Sequence, residues 1–258
     1  MDVARTAGLE GLSILVTGGA GAIGRATGEA LAASGAHVTL ADRDATAAAA
    51  AAAAIRRAGG AAQAVPCDVT DAHAMAEAAA AATRPTGRLD GAFNAAGAIG
   101  PAFTGTDLAL DDWRAVVDVN LTGCWLSMQA EIRAMRAAGC TGAIVNAASV
   151  AGLVGARLSP AYVAAKHGVV GLTRALALEV AGEGIRVNAV CPGWTDGPMT
   201  EAVEAVRADV SARMARRVPL GRTGRPGDTA AMVAWLLSPA AAYVTGAALP
   251  VDGGFTAA

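Results

Sequence analysis

The chain contains one lysine, Lys166, and a tyrosine, Tyr162, stands four residues before it. The other tyrosine is Tyr243, and every remaining strong base is an arginine. On a helix, residues four apart share a face. An ammonium beside a phenol favours the phenolate and lowers its pKa from about 10. The pair therefore predicts an acid/base able to work near neutral pH. Lysine also differs from arginine: it is a compact charge with three donors, able to bind ribose hydroxyls while tuning the phenol. A surface Tyr–Lys contact is the bland alternative. Ser149 lies 13 residues before Tyr162, after an apolar run. A hydroxyl there can bond a substrate carbonyl oxygen and hold it near Tyr162. No Ser–His–acid arrangement accompanies it, so a nucleophilic serine is not expected.

A second constellation opens the chain. Thr17-Gly18-Gly19-Ala20-Gly21-Ala22-Ile23-Gly24 sits between a strand-like run and a helix-like one. Glycines let the backbone approach a pyrophosphate, and the helix start offers N–H donors and the positive end of its dipole. A G-x-G-x-x-G pattern says little in a chain with 32 glycines. Its place between strand and helix makes it informative. Asp42 ends the next run, 18 residues after Gly24. A carboxylate there accepts hydrogen bonds from both adenosine ribose hydroxyls and repels a 2′-phosphate, which favours NAD over NADP. Arg43 argues the other way, since a guanidinium pairs a phosphate. Asp42 is also a possible helix N-cap.

The elements that must position these residues alternate. Apolar runs at Leu12–Val16, His37–Ala41, Ala61–Pro66, Leu89–Phe93, Ala143–Asn146, Arg186–Val190 and Ala247–Val251 read as strands. Helices are expected at Gly24–Ser34, Asp44–Ala58, Ala72–Thr83, Asp111–Ala138, Pro160–Ala181 and Pro226–Leu237. The pattern predicts an α/β fold: a single-domain, doubly wound Rossmann-type parallel sheet with helices on both faces, spanning 1–258. The alanine run Ala45–Ala54 reads as helix, because alanine is the best helix former. Two stretches break the alternation, Gly97–Asp111 and Gly193–Gly224, the latter with a short helix near Thr200–Arg217. Both follow strands, so they suit the walls and lid (about 193–224) of a ligand pocket.

Composition closes other routes. Hydrophobic residues make up 54% and charged residues 16%, which excludes a disordered chain. A net charge of −2 offers no broad basic face for nucleic acid or anionic membrane. No apolar run is long enough for a membrane span. Met1–Glu10 lacks a signal-peptide core, so a cytoplasmic protein is expected. Cys67, Cys124, Cys140 and Cys191 are scattered, as are His37, His73 and His167, so neither disulfides nor a metal site are expected.

Taken together, these residues resemble the short-chain dehydrogenase/reductases in their compact form of roughly 250 residues. The resemblance runs from Leu12 to Gly254. It rests on Thr17–Gly24, Asp68-Val69, Asn94-Ala95-Ala96-Gly97, Asn120 within Val119–Gly123, Ser149, Tyr162, Lys166, and Asn188 to Gly193 with Pro192-Gly193. Tyr243–Gly246 and Val251–Gly254 close it. The resemblance implies hydride transfer between NAD(H) and a secondary alcohol or ketone. Tyr162 is then the general acid/base, Lys166 lowers its pKa and binds the nicotinamide ribose, and Ser149 positions the carbonyl. Asn120 holds a water that links Lys166 to solvent. Gly18, Gly19, Gly21, Ile23, Gly24, Asp42, Arg43, Asp68, Val69, Asn94, Ala95, Ala96, Gly97, Pro192, Gly193 and Thr195 are implied in cofactor binding. A homotetramer built through the two long helices and the C-terminal strand is also implied.

Two departures from the family pattern stand out. Ala22 occupies a position where the family often has glycine, so a loop needing a left-handed residue there would be strained. Gly197 stands where the family usually has a cofactor-binding threonine, with Thr195 two residues earlier; its backbone could reach the carboxamide. The substrate pocket is expected to draw on Ile99, Phe103, Leu153, Val154, Leu158, Trp194, Met199 and Met214, which suits a hydrophobic or alicyclic alcohol. Arg157 either pairs a substrate carboxylate or stands solvated. The alternatives are an NADPH-dependent 3-oxoacyl-carrier-protein reductase, against which Asp42 argues, and a non-catalytic nucleotide-binding regulatory protein.

Overall fold

The computed structural model describes residues 6–206 and 209–257. Met1–Arg5 of the N-terminal stretch and positions 207–208 of the expected lid helix fall outside the described residues. Seven parallel strands form one sheet in the order β3-β2-β1-β4-β5-β6-β7. They are β1 Ser13–Thr17, β2 His37–Asp42, β3 Ala61–Pro66, β4 Gly91–Asn94, β5 Gly142–Ala147, β6 Ile185–Pro192 and β7 Ala248–Val251. The strand order reverses between β1 and β4. That switch point opens a crevice beyond the strands' carboxyl ends, where ligands bind in such sheets. The central strands are buried along their length, as in β1 and β4, and their runs are accordingly apolar without alternation.

The helices are α1 Ala22–Ala33, α2 Ala45–Arg57, α3 Ala72–Thr83, α4 Leu110–Val117, α5 Gly123–Ala137, α6 Pro160–Val180, α7 Pro198–Val206, α8 Val210–Ala215 and α9 Pro226–Leu237. One core lies beneath α3, α5 and α6, with Met75, Met128, Ile132, Met135, Val169 and Val180. The other lies beneath α1, α2 and α9, with Leu31, Ile55, Val233, Leu236 and Leu237. Many of the packed positions are alanines, so helix and sheet approach closely. The alanine-rich α2 is capped by Asp44, whose carboxylate accepts from Ala47 N at 2.9 Å. Asp42 is therefore not the side-chain cap of this helix. Among the described residues no helix is long and apolar enough to cross a membrane, and all four cysteines are unpaired.

The single helix expected over Asp111–Ala138 is interrupted. Between α4 and α5 the chain makes a π-helical turn over Asp118–Thr122, and Asn120 sits inside it. Such turns rotate a helix and are frequent at functional sites. The expected lid helix is likewise divided into α7 and α8.

A buried polar network ties the elements under the site together. Asn94 Nδ2 donates to Glu131 Oε2 and to Asn146 Oδ1, both at 3.0 Å. Asn146 Nδ2 in turn donates to Thr173 Oγ1 at 3.0 Å. The network thus joins β4, β5, α5 and α6. Glu131 is fully buried, and its Oε1 has no hydrogen-bond partner. Burial pushes its carboxyl from 4.5 up to about 8, with the Asn94 hydrogen bond opposing.

The folded chain therefore keeps this proton to about pH 8, while the unfolded chain loses it near 4.5. Between those values the native state holds the extra proton, so stability falls as pH rises, by ~1.4 kcal/mol per pH unit from this group. Glu131→Gln is expected to remove that slope. Urea midpoints of both proteins at pH 5.5 and pH 8 check this: the variant should gain on the wild type at pH 8. Parallel pH dependences would refute it.

Candidate active site

The crevice beyond the strands is a cavity of about 1390 Å³. One end is built by the loop from β1 into α1. Gly18 there has φ 63, and a Cβ on it would stand 2.6 Å from Ala96 N. Only glycine lets β1 and the segment after β4 come this close. Gly21 caps α1 without a side chain, and Gly21, Ala22, Ile23 and Gly24 all line the cavity. Helix N–H groups and a dipole end facing an open cavity are suited to a pyrophosphate. Ala22 is helical, and the positive φ falls on Gly18 instead. The strain expected from Ala22 is therefore absent.

The same positions explain the second departure. Gly197 has φ 147, and a Cβ on it would stand 2.7 Å from Ala22 Cβ. A threonine at 197 would collide with the methyl that Ala22 adds, so the two departures fit each other. Thr195 lines the cavity, but its hydroxyl donates to Gly193 O at 3.1 Å.

Asp42 lies at the edge of this end. Its Oδ2 accepts from Ala20 N and its Oδ1 from Asp44 N, each at 3.0 Å. Two backbone donors thus fix the carboxylate in orientation. Arg43 follows it and is exposed. Asp68 and Val69 line the cavity after β3; the Thr70 hydroxyl and N–H hold the Asp68 carboxyl below the usual range. Ala95, Ala96, Gly97, Pro192 and Gly193 complete the wall.

The other end holds the chemistry. Ser149 follows β5, Tyr162 and Lys166 project from α6, and all three line the cavity. Burial raises the pKa of the Tyr162 phenol, and the Ser149 hydroxyl nearby opposes that rise without cancelling it. The expected lowering by Lys166 is not found. The reason is geometric: the ammonium stands over the ring, 5.5 Å from its centroid, and donates to Ala147 O at 2.7 Å. Lys166 is 3% exposed, and burial brings its own pKa down from 10.5 to about 8. Tyr243 is fully exposed, which leaves Tyr162 as the phenol of the site.

Three expected residues stand behind the wall. Gly19 packs on Leu40 of β2, 2.8 Å from it when given a Cβ. Asn94 is committed to the Glu131 and Asn146 hydrogen bonds. Asn120 donates to Ala98 O at 2.7 Å and Val116 O at 2.8 Å, and accepts from Ala98 N at 3.3 Å. It clamps the segment after β4 and makes no direct bond to Lys166. Of the expected pocket residues, Ile99, Val154, Leu158, Trp194, Met199 and Met214 line the cavity. Phe103 does not line it and is 42% exposed, and Leu153 packs into the core. Val203, Val210, Arg213, Arg217 and Phe255 line it without having been expected. Within the lid, Trp194 Nε1 donates to Ser211 Oγ at 2.9 Å.

The donor set fits a nicotinamide dinucleotide: a glycine cradle at a helix start, a fixed carboxylate after β2, and a buried lysine with two donors to spare. Comparisons with known proteins agree. A family profile described as Enoyl-(Acyl carrier protein) reductase matches residues 18–256. The chain is 43% identical to a 2,5-dichloro-2,5-cyclohexadiene-1,4-diol dehydrogenase of Sphingobium indicum, over 96% of this chain and 98% of the relative. It is 45% identical to a cis-4-hydroxycyclohexanecarboxylate dehydrogenase of Sinomonas cyclohexanicum, over 94% and 96%. A cyclohexanol dehydrogenase of an Acinetobacter strain is 42% identical over 94% of each chain. Among solved structures, a protein described as an NAD(P)-dependent gluconate 5-dehydrogenase from Beutenbergia cavernae, with NADP bound at low occupancy, superposes with a TM-score of 0.90. It is 39% identical, over 97% of this chain and 99% of that one. The chain therefore belongs to the short-chain dehydrogenase/reductase family, oxidoreductases that work with a nicotinamide cofactor.

Proposed function

We propose that this oxidoreductase is an NAD-dependent dehydrogenase of alicyclic secondary alcohols, reversible toward the ketone, with Tyr162 as general acid/base. The observation that carries the reading is the meeting of Ser149, Tyr162 and Lys166 at one end of a cavity whose other end is the Gly18–Gly24 loop and Asp42. The nicotinamide, when bound, supplies the hydride acceptor or donor. Ser149 holds the carbinol oxygen, and Tyr162 takes its proton in oxidation or returns it in reduction. Lys166, with one N–H on Ala147 O, keeps two for ribose hydroxyls. Asn120, locked against Ala98, holds the wall past which a water links Lys166 to solvent. The apolar residues Ile99, Val154, Leu158, Trp194, Met199 and Met214 suit a saturated ring, and relatives are named for cyclohexane-type alcohols. One domain carries both sites.

NAD rather than NADP follows from Asp42. Its carboxylate is pinned by Ala20 and Asp44 and cannot swing away from a 2′-phosphate. NADH is expected to bind at least about tenfold tighter than NADPH, ~1.4 kcal/mol, and Asp42→Ala should narrow the gap. Fluorescence titration with each cofactor at fixed salt tests this. Tighter NADPH binding would put Arg43 in command and favour the reductive alternative, a 3-oxoacyl-carrier-protein reductase. A homotetramer in the cytoplasm is the assembly we propose. Exposed Leu110, Trp113 and Trp125 on α4 and α5, and Leu178 on α6, leave apolar surface on the two long helices.

A further inference from the structure

The charges along the cavity are segregated. Asp42, Asp44 and Asp68 lie at the adenosine end, with Arg43. At the substrate end the cavity is lined by Arg157, Arg213 and Arg217 against a single carboxylate, Asp196. Asp196 is engaged by the Thr223 hydroxyl at 2.7 Å. Among the described residues none of these three arginines has an ion-pair or side-chain hydrogen-bond partner, whereas Arg88, Arg136 and Arg222 are all paired. Two acids flank them on the lid: Glu204 on α7 accepts from Ser211 N at 3.3 Å, and Asp209 precedes α8, one turn before Arg213, with no ion pair to it among the described residues.

The three come from two separate segments of the chain. Arg157 stands on the loop between Ser149 and α6. Arg213 is on α8, and Arg217 lies in the turn just beyond its end; both line the cavity. Arg217 is held in place by Phe255, with its guanidinium 4.9 Å from the ring centroid. A small adjoining cavity of about 310 Å³ is lined by the same Arg213 and Arg217 together with Arg216. In a chain of net charge −2, this is a local concentration of positive charge, not a general property of the surface.

We infer that Arg213 and Arg217 of the lid, with Arg157 in the same cavity lining, form a subsite for an anionic group carried by the substrate. The ligand class is an alicyclic hydroxy acid, its ring on the apolar wall and its carboxylate at the mouth. Guanidinium forks recognise carboxylates through paired, charge-assisted bonds, and their field steers anions into the cleft. The inference rests on the secondary-alcohol reading above.

The test is steady-state oxidation of 4-hydroxycyclohexanecarboxylate, both ring isomers, against the corresponding neutral carboxamides and cyclohexanol, with NAD. The wild type should prefer the acid over its carboxamide by at least about tenfold in kcat/KM, and added salt should shrink the preference. The double variant Arg213→Gln/Arg217→Gln should bring the ratio toward one, with cofactor affinity measured alongside to establish that it is folded. Equal or better use of the carboxamide by the wild type overturns the inference, as does a preference that ignores salt and both substitutions. Oxidation of cyclohexanol but of neither acid nor amide overturns the anion subsite while leaving the alcohol reading intact. No oxidation of any alcohol, with NAD bound, removes both.

Discussion

Tyr162→Phe is expected to lower kcat by roughly 10²–10⁴-fold while leaving the affinity for NADH nearly unchanged. The substitution removes one oxygen and keeps the ring, so packing on α6 and the surface under Lys166 survive. What it removes is the oxygen proposed to accept the carbinol proton: Tyr162 lines the cavity with Ser149, and the other tyrosine is fully exposed. Because burial raises the phenol, alcohol oxidation in the wild type should climb as pH rises and Tyr162 gives up its proton. That limb should vanish from the residual rate of the variant. Steady-state kinetics across pH, with a cofactor titration beside them, separate this from a folding defect. A variant that retains turnover would remove Tyr162 from the mechanism.

Lys166→Met should lose at least about 10²-fold in kcat and raise the KM for cofactor, because one residue serves both. Lys166→Arg should fail to restore either. The ammonium sits in a slot with Ala147 O at 2.7 Å. The neighbouring chain is tight: a Cβ on Gly97 would stand 3.5 Å from Nζ, and one on Gly152 would stand 2.6 Å from Lys166 O. A guanidinium overfills that slot at a cost of ~1–3 kcal/mol and offers a flat fork in place of a point charge. The chain uses arginine for every other strong base, so a functional Lys166→Arg enzyme would show that nothing particular to lysine is required. Separate measurement of kcat and cofactor KM decides between these outcomes.

Much of this was legible because it is local. The alternation of apolar runs and alanine-rich stretches located all seven strands, with Ala61–Pro66, Ala72–Thr83 and Pro226–Leu237 matching end to end. Strand ends elsewhere moved by one or two residues, where hydrogen bonding outlasts the apolar run, as in β6 through Pro192. The Tyr162–Lys166 pair could be read from spacing alone, because both residues ride one helix. The π-turn at Asp118–Thr122 was hidden, since its residues continue the periodicity of the helices on either side. Its one signal was Asn120, a polar residue in a buried position.

Other contacts were illegible because they join distant segments. Arg217 meets Phe255 only after the C-terminus folds back beneath the lid. Ala22 meets Gly197 only across the cavity. The lowering of Tyr162 by Lys166 failed as an expectation for a related reason. Spacing puts two side chains on one face, but the depth of the slot decides which atoms face each other, and here the ammonium faces the ring and Ala147 O.

The most direct test of the account follows the hydrogen itself. The protein would be incubated with NAD and cyclohexanol carrying deuterium at the carbinol carbon, and both products analysed by mass spectrometry. Ketone and reduced cofactor are expected in equal amounts, with the deuterium on the nicotinamide ring and none lost to water. Cofactor that binds but is never reduced, by this alcohol or by its carboxylated counterparts, would contradict this expectation.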